Sequence, residues 1–148
     1  MKQKGSKSMN SIKDCRIIKF TNHGDQRGSL VAIESKKEIP FNLKRIFYIF
    51  ESNNRMIRGQ HANMISEFVL VCVSGNCTVK VSDSKEEKLI ELSSPFEGLY
   101  IPNMIWKEMS NFSSDSILLV LSSAFYNKDE YITDFEKYKS IMENTTHR

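Results

Sequence analysis

The chain has 148 residues, 21 of them Lys or Arg and 18 Asp or Glu, for a net charge of +3; 40% are hydrophobic and 26% charged. A length of this order suits one domain burying roughly two thirds of its unfolded surface, and the composition excludes long disorder. Interspersed charge demands no nucleic-acid partner, no run approaches the roughly 18 apolar residues of a membrane span, and the polar N-terminus lacks the apolar core of a secretion signal, so a cytoplasmic location is expected.

Residues 1–11, rich in Lys, Ser, Gly and Asn, read as a flexible tail. Residues 12–148 then form one domain, with no internal repeat and no linker to divide them. Residues 15–20 predict a short strand, and after a polar turn the alternating, β-branched residues 29–34 predict a second. Residues 44–50 predict a third, with Arg45, Phe47 and Ile49 on one face and Lys44, Ile46, Tyr48 and Phe50 on the other. Further strands are expected at 67–73, 77–82, 88–92, 98–101, 106–111 and 117–122, separated by Gly75, Asp83-Ser84, Pro95, Pro102 and Ser113-Ser114-Asp115. Short strands at this even spacing imply an all-β sandwich or barrel. Residues 130–142 carry Tyr131, Ile132, Phe135, Tyr138 and Ile141 at helical spacing, which predicts one terminal helix. Three cysteines, Cys15, Cys72 and Cys77, include no C-x-x-C pair. Cys72 and Cys77 are five apart in a strand-like run, so within one strand their side chains would fall on opposite faces, and free thiols are expected.

The segment Arg58-Gly59-Gln60-His61-Ala62-Asn63-Met64-Ile65-Ser66-Glu67, followed by Gly75, resembles the first cupin motif: a glycine, His-x-His, a carboxylate, then a turn glycine. The implied fold is a cupin-type jelly-roll β-barrel closed by a short C-terminal helix. In metal-binding cupins two histidines at i and i+2, a carboxylate and a later histidine hold the ion. Here Asn63 stands at the second position and Trp106 where the last ligand is expected. His61 and Glu67 are too few for a Zn, Fe or Mn site, so neither a metal nor any other cofactor is expected.

A narrower resemblance is carried by residues 25–34, Ile39-Pro40-Phe41, residues 44–49, Arg58-Gly59-x-His61-Ala62, residues 98–101, Trp106-x-x-Met109, and Tyr126 through Asp129 to Tyr131-Ile132. In this order and with these gaps the chain resembles the sugar 3,4-ketoisomerases, the WxcM-like or FdtA-type cupins. The resemblance implies a homodimer with exchanged N-terminal strands that binds a dTDP-4-oxo-6-deoxyhexose. It implies transfer of the carbonyl from carbon 4 to carbon 3 without a cofactor, supplying deoxysugars for surface polysaccharides such as O-antigen. His61 matches the family's proton-transferring histidine and Tyr48 a tyrosine of the same pocket.

The residues themselves suit that chemistry. A proton on a carbon beside a ketone is weakly acidic, so its removal needs a positioned base and stabilisation of the enediolate. Histidine titrates near neutrality and serves as such a base. Arg27, Arg45, Arg58 and Lys44 are candidates for the diphosphate, which planar guanidinium forks recognise well. Glu67, Tyr100 and Trp106 complete the candidate binding set, the aromatics flanking the thymine and sugar rings. The family pattern reads His-Ala-His-Lys and continues to a glutamine, whereas this chain reads His61-Ala62-Asn63-Met64 and reaches Phe68. Asn63 hydrogen-bonds but cannot exchange a proton near neutral pH. That leaves three readings: an isomerase with another relay, a nucleotide-sugar-binding module without turnover, or a related keto-sugar epimerase or acyl transferase.

Overall fold

The structure, a computed structural model, describes residues 9–53 and 55–146. Among these, ten strands, β1 (Arg16–Lys19), β2 (Arg45–Phe50), β3 (Arg58–Asn63), β4 (Phe68–Ser74), β5 (Cys77–Ser82), β6 (Glu87–Leu92), β7 (Glu97–Ile101), β8 (Trp106–Ser110), β9 (Ile117–Ser122) and β10 (Tyr131–Ile132), precede one helix, α1 (Phe135–Thr146). They form two five-stranded sheets, ordered β1-β7-β4-β9-β2 and β10-β3-β8-β5-β6, with every pair antiparallel. This is the double-sheet jelly roll with a C-terminal helix that the sequence predicts.

Alternation puts Phe68, Leu70 and Cys72 of β4 and Leu118 and Val120 of β9 on one face of the first sheet. They meet Val79, Val81, Leu92 and Met109 of the second sheet in the principal core. The opposite face of the first sheet, Val69, Val71 and Leu121, is covered by Phe20, Ile39 and Phe41 from the chain before β2. The outer face of the second sheet is covered by α1, where Tyr138 and Met142 pack on Ala62, Trp106 and Ile132. Both sheets are therefore apolar on two faces, and a pattern of alternation alone does not say which face is inward.

Residues 29–34 form no strand or ladder within the described chain, contrary to the expected second strand, although the Leu30 carbonyl accepts from the His23 amide at 2.7 Å. Val31 and Ile33 pack against the outer cluster of the first sheet, so the alternation is used for packing without pairing. The terminal helix also starts later than predicted. Lys128–Glu130 is a 3-10 turn, Tyr131 and Ile132 pair with Asn63 and Ala62 as β10, and Asp134 Oδ1 accepts from the Glu136 and Lys137 amides to begin α1. Cys72 and Cys77 are not on one strand, because the turn at Gly75 separates β4 from β5. Both are buried, the Cys72 thiol donates to the Ser74 carbonyl oxygen at 3.2 Å, and all three cysteines are free. Residues 1–8 of the expected tail lie outside the described residues. Ordered contacts begin directly after them: Met9 packs beside the helix cluster and the Asn10 amide donates to Asn103 Oδ1 at 2.7 Å.

Candidate active site

Between the sheets, beside the principal core, lies a cavity of about 280 Å³. The first sheet supplies Phe47, Ile49, Phe68, Leu70 and Val120; the second supplies Arg58, Gly59, His61, Lys107 and Met109, and Tyr131 comes from β10. The walls are mostly apolar, and the polar groups converge on one side.

His61 owes its position to a bulge. The β3–β8 register shifts between Gly59 and His61, and Gly59 and Gln60 have φ of 84° and 54°. A Cβ at Gly59 would stand 2.9 Å from the Lys107 carbonyl oxygen, so only glycine fits without displacing β8. Such a bulge re-aims the following side chain. The His61 ring is half-buried, stacks at 4.7 Å on Tyr131, and places Nδ1 3.0 Å from the Gly59 carbonyl oxygen. A carbonyl only accepts, so Nδ1 carries the proton and Nε2 the lone pair. Burial, and then the neighbouring Lys107 charge, hold the imidazolium pKa down at about 4, against the opposing pull of the Gly59 carbonyl, Asn63 and Glu130. The ring is a neutral base at pH 7.

Lys107 is the cross-strand partner of His61. It is 4% exposed. Its ammonium donates to Asn63 Oδ1 at 3.0 Å and lies 4.6 Å from the centre of the Phe68 ring. Burial pulls its pKa down to about 7, opposed chiefly by the charge of Glu130. Asn63 is buried and bridges to Glu130, its amide donating to Oε1 at 2.8 Å, while Ser66 donates to the same carboxylate through both its amide and its hydroxyl. The buried Glu130 is thereby fully engaged by neutral donors. At the rim, Arg45 donates to the Tyr131 hydroxyl at 3.4 Å and stacks over Phe47 and Tyr126, and its buried Nε finds no hydrogen-bond partner among the described residues.

Of the residues singled out in the sequence, His61 and Arg58 line this cavity, Arg45 borders it, and Asn63 lies behind His61. The others do not enter it. Tyr48 is on the outer face of β2, 61% exposed, because Phe47 and Ile49 take the inward positions. Trp106 points under α1, 5.1 Å from Phe135 and 5.7 Å from Tyr138, leaving Lys107 and Met109 to face inward. Glu67 and Tyr100, joined by a 2.5 Å hydrogen bond, line a separate surface cleft with Lys13 and Arg16. Lys44 is exposed beside Phe125. Arg27 is exposed in a turn and paired with Asp25 at 2.6 Å. Sequence reasoning missed Lys107, Tyr131 and Glu130. A lysine alternating with Met109 in an otherwise buried strand was the available signal for the first.

Two antiparallel sheets enclosing a half-buried histidine and a buried lysine define a small-molecule enzyme of the jelly-roll class. The chain belongs to the family described as WxcM-like, C-terminal (FdtA), whose family model matches residues 13–143. A curated relative, the TDP-4-oxo-6-deoxy-alpha-D-glucose-3,4-oxoisomerase of Aneurinibacillus thermoaerophilus, is 44% identical over 127 residues, covering 86% of this chain and 91% of the relative. Among solved structures, a 3,4-ketoisomerase from Helicobacter canadensis superposes with a TM-score of 0.86 at 42% identity, covering 88% of this chain and 98% of the other. QdtA, a sugar 3,4-ketoisomerase from Thermoanaerobacterium thermosaccharolyticum in complex with TDP, gives 0.86 at 36% identity, covering 88% and 95%.

Proposed function

We propose that this chain is a TDP-sugar 3,4-ketoisomerase that takes a 4-oxo-6-deoxyhexose to its 3-oxo isomer by proton transfer through an enediol. The observation that carries the reading is the neutral His61 imidazole in an apolar cavity, its tautomer set by the Gly59 carbonyl. A base in that state accepts a carbon-bound proton, and burial makes its conjugate acid strong enough to return it to the neighbouring carbon. The cavity is at the lower end of the roughly 300–1,000 Å³ typical of small-molecule sites. The hexose therefore enters and the nucleotide stays toward the rim, where the Arg58 and Arg45 guanidinium groups meet the diphosphate. Aromatic rings of Tyr126 and Tyr131 frame the same rim. The setting is cytoplasmic deoxysugar synthesis for surface polysaccharides.

The assembly in this reading is a homodimer with exchanged N-terminal strands. Two features support it: the alternating residues 29–34 have no ladder of their own, and β2 is a sheet edge whose outer face exposes Ile46, Tyr48 and Phe50. An open edge of this kind is a template for strand addition. Tyr48 then belongs to the subunit interface, and Arg27 reaches a diphosphate only across it.

Incubation with TDP-4-oxo-6-deoxyglucose in deuterium oxide tests the activity: a 3-oxo product with label at carbon 3 or 4 is expected. TDP binding by calorimetry with no label and no product would instead establish the non-catalytic module suggested by Asn63.

A further inference from the structure

Every polar group around Lys107 has a place in the structure. His61 faces it from β3, Asn63 accepts from its ammonium at 3.0 Å, and Glu130 lies behind Asn63 at the end of the same hydrogen-bonded chain. The fourth group, the Cys15 thiol, is pushed up to about 12 by burial and the nearby Asp14, and so is neutral. Among the described residues no carboxylate forms an ion pair with Lys107. A lysine so deeply buried without a counter-ion is uncommon and unfavourable to folding. This one projects into the cavity beside the His61 imidazole.

We propose that Lys107 is the second catalytic group of this site, carrying the hydroxyl proton between the two sugar oxygens while His61 carries the carbon-bound one. The inference rests on the ketoisomerase reading and supplies the exchangeable proton that Asn63 lacks. The 4-oxo sugar enters with hydrogen on carbon 3 and on its oxygen. His61 Nε2 takes the carbon-3 proton, the released pair forms the C3=C4 double bond, and the carbonyl π pair moves to oxygen 4, which takes a proton from the Lys107 ammonium. The neutral amine then accepts the proton of the oxygen-3 hydroxyl. As C3=O forms, the C3=C4 pair takes the proton of the His61 imidazolium onto carbon 4. The 3-oxo sugar leaves with His61 neutral and Lys107 an ammonium again, so nothing is consumed. Asn63 positions the amine: its Oδ1 accepts from Lys107, and its amide is oriented by Glu130. A lysine whose ordinary range is lowered to about 7 holds both protonation states near neutrality, which a relay needs.

The test compares the wild type with Lys107→Met and Lys107→Arg, using TDP-4-oxo-6-deoxyglucose for turnover and TDP calorimetry for site integrity. Both variants are expected to bind TDP and to lose about 10²- to 10⁴-fold in kcat. Wild-type kcat should fall as pH rises through about 7, and that limb should be absent from the residual turnover of Lys107→Arg, which stays charged but cannot accept. Adding Asn63→His to Lys107→Met should recover about tenfold or more, since an imidazole at 63 can relay; no recovery would count against a relay and for a merely structural lysine. Lys107→Met or Lys107→Arg turning over within about threefold of the wild type, with an unchanged pH profile, would overturn the assignment. A wild type that binds TDP and never turns over sinks the ketoisomerase reading and this inference together, whereas unimpaired variants of an active wild type sink the role of Lys107 alone.

Discussion

His61 and Lys107 stand directly opposite each other in the β3–β8 ladder, and both enter one cavity. The pair places a neutral imidazole and a titrating amine side by side on one wall of that cavity. Its effect on stability has a definite sign. The folded pKa of Lys107, about 7, is below its ordinary 10.5, so between these values the unfolded chain binds a proton that the folded chain does not, and stability rises with pH. His61, at about 4 against 6.5, acts the same way over that lower window, so its contribution is lost as pH falls from 6.5 to 4. Thermal unfolding followed at pH 7 and pH 9 should show the upper gain in the wild type and a smaller one in Lys107→Met. Equal gains in both would show that the lysine titrates normally.

Gly59→Ala is expected to cost about 1–3 kcal/mol, because φ of 84° disfavours any side chain and the added Cβ meets the Lys107 carbonyl oxygen at 2.9 Å. Relief by shifting β8 would move Lys107 away from its register with His61. Urea unfolding should show the loss, and kcat should fall more than TDP affinity.

Glu130→Gln replaces an acceptor-only carboxylate with an amide that must turn one NH2 toward Asn63 or Ser66, both of which already donate there. A loss of about 1–3 kcal/mol is expected from the resulting unsatisfied donors. With Asn63 no longer oriented, turnover should also drop at unchanged TDP affinity. Wild-type stability and turnover together would show that Glu130 does not hold Asn63.

Trp106 and Arg58 separate packing from binding. Trp106→Ala opens a void beneath α1 and should cost about 3–5 kcal/mol while leaving the KM for the TDP-sugar nearly unchanged. Arg58→Ala should spare the melting temperature and weaken TDP binding about tenfold or more, the scale of one charge-assisted hydrogen bond. The opposite pattern would restore Trp106 to the binding site.

The assembly prediction rests on the β2 edge. Ile46→Glu places a charge on its exposed apolar face, so sedimentation should show a dimer for the wild type and a monomer for the variant; an unaffected dimer would place the interface elsewhere.

Much of the fold was legible because turn residues punctuate it. Gly75, Pro95 and Pro102 separate strands whose bounds agree with the expected runs to within one residue, and residues 77–82 and 117–122 were read at their full extent, whereas β3, with its bulge at Gly59, was not among the expected strands. His61 was legible through the glycine and alanine around it. Residues 29–34 misled because alternation reports burial of one face, not a hydrogen-bonded neighbour. Tyr131 and Ile132 misled because their spacing to Phe135 is helical, although Asp134 starts the helix after them.

The order of residues by itself determined an all-β fold of short antiparallel strands, the family through its motifs, and His61 as a candidate site residue. Only the tertiary structure decided which face of each strand is interior. An alternating strand offers two faces, and here α1 makes the outer face of β8 as apolar as the inner one, so the indole of Trp106 goes under the helix and the ammonium of Lys107 goes into the cavity. On β2 the same choice sends Phe47 inward and Tyr48 outward. The selection depends on which sheet or helix lies opposite each strand, and contacts that distant in the chain leave no mark on local periodicity.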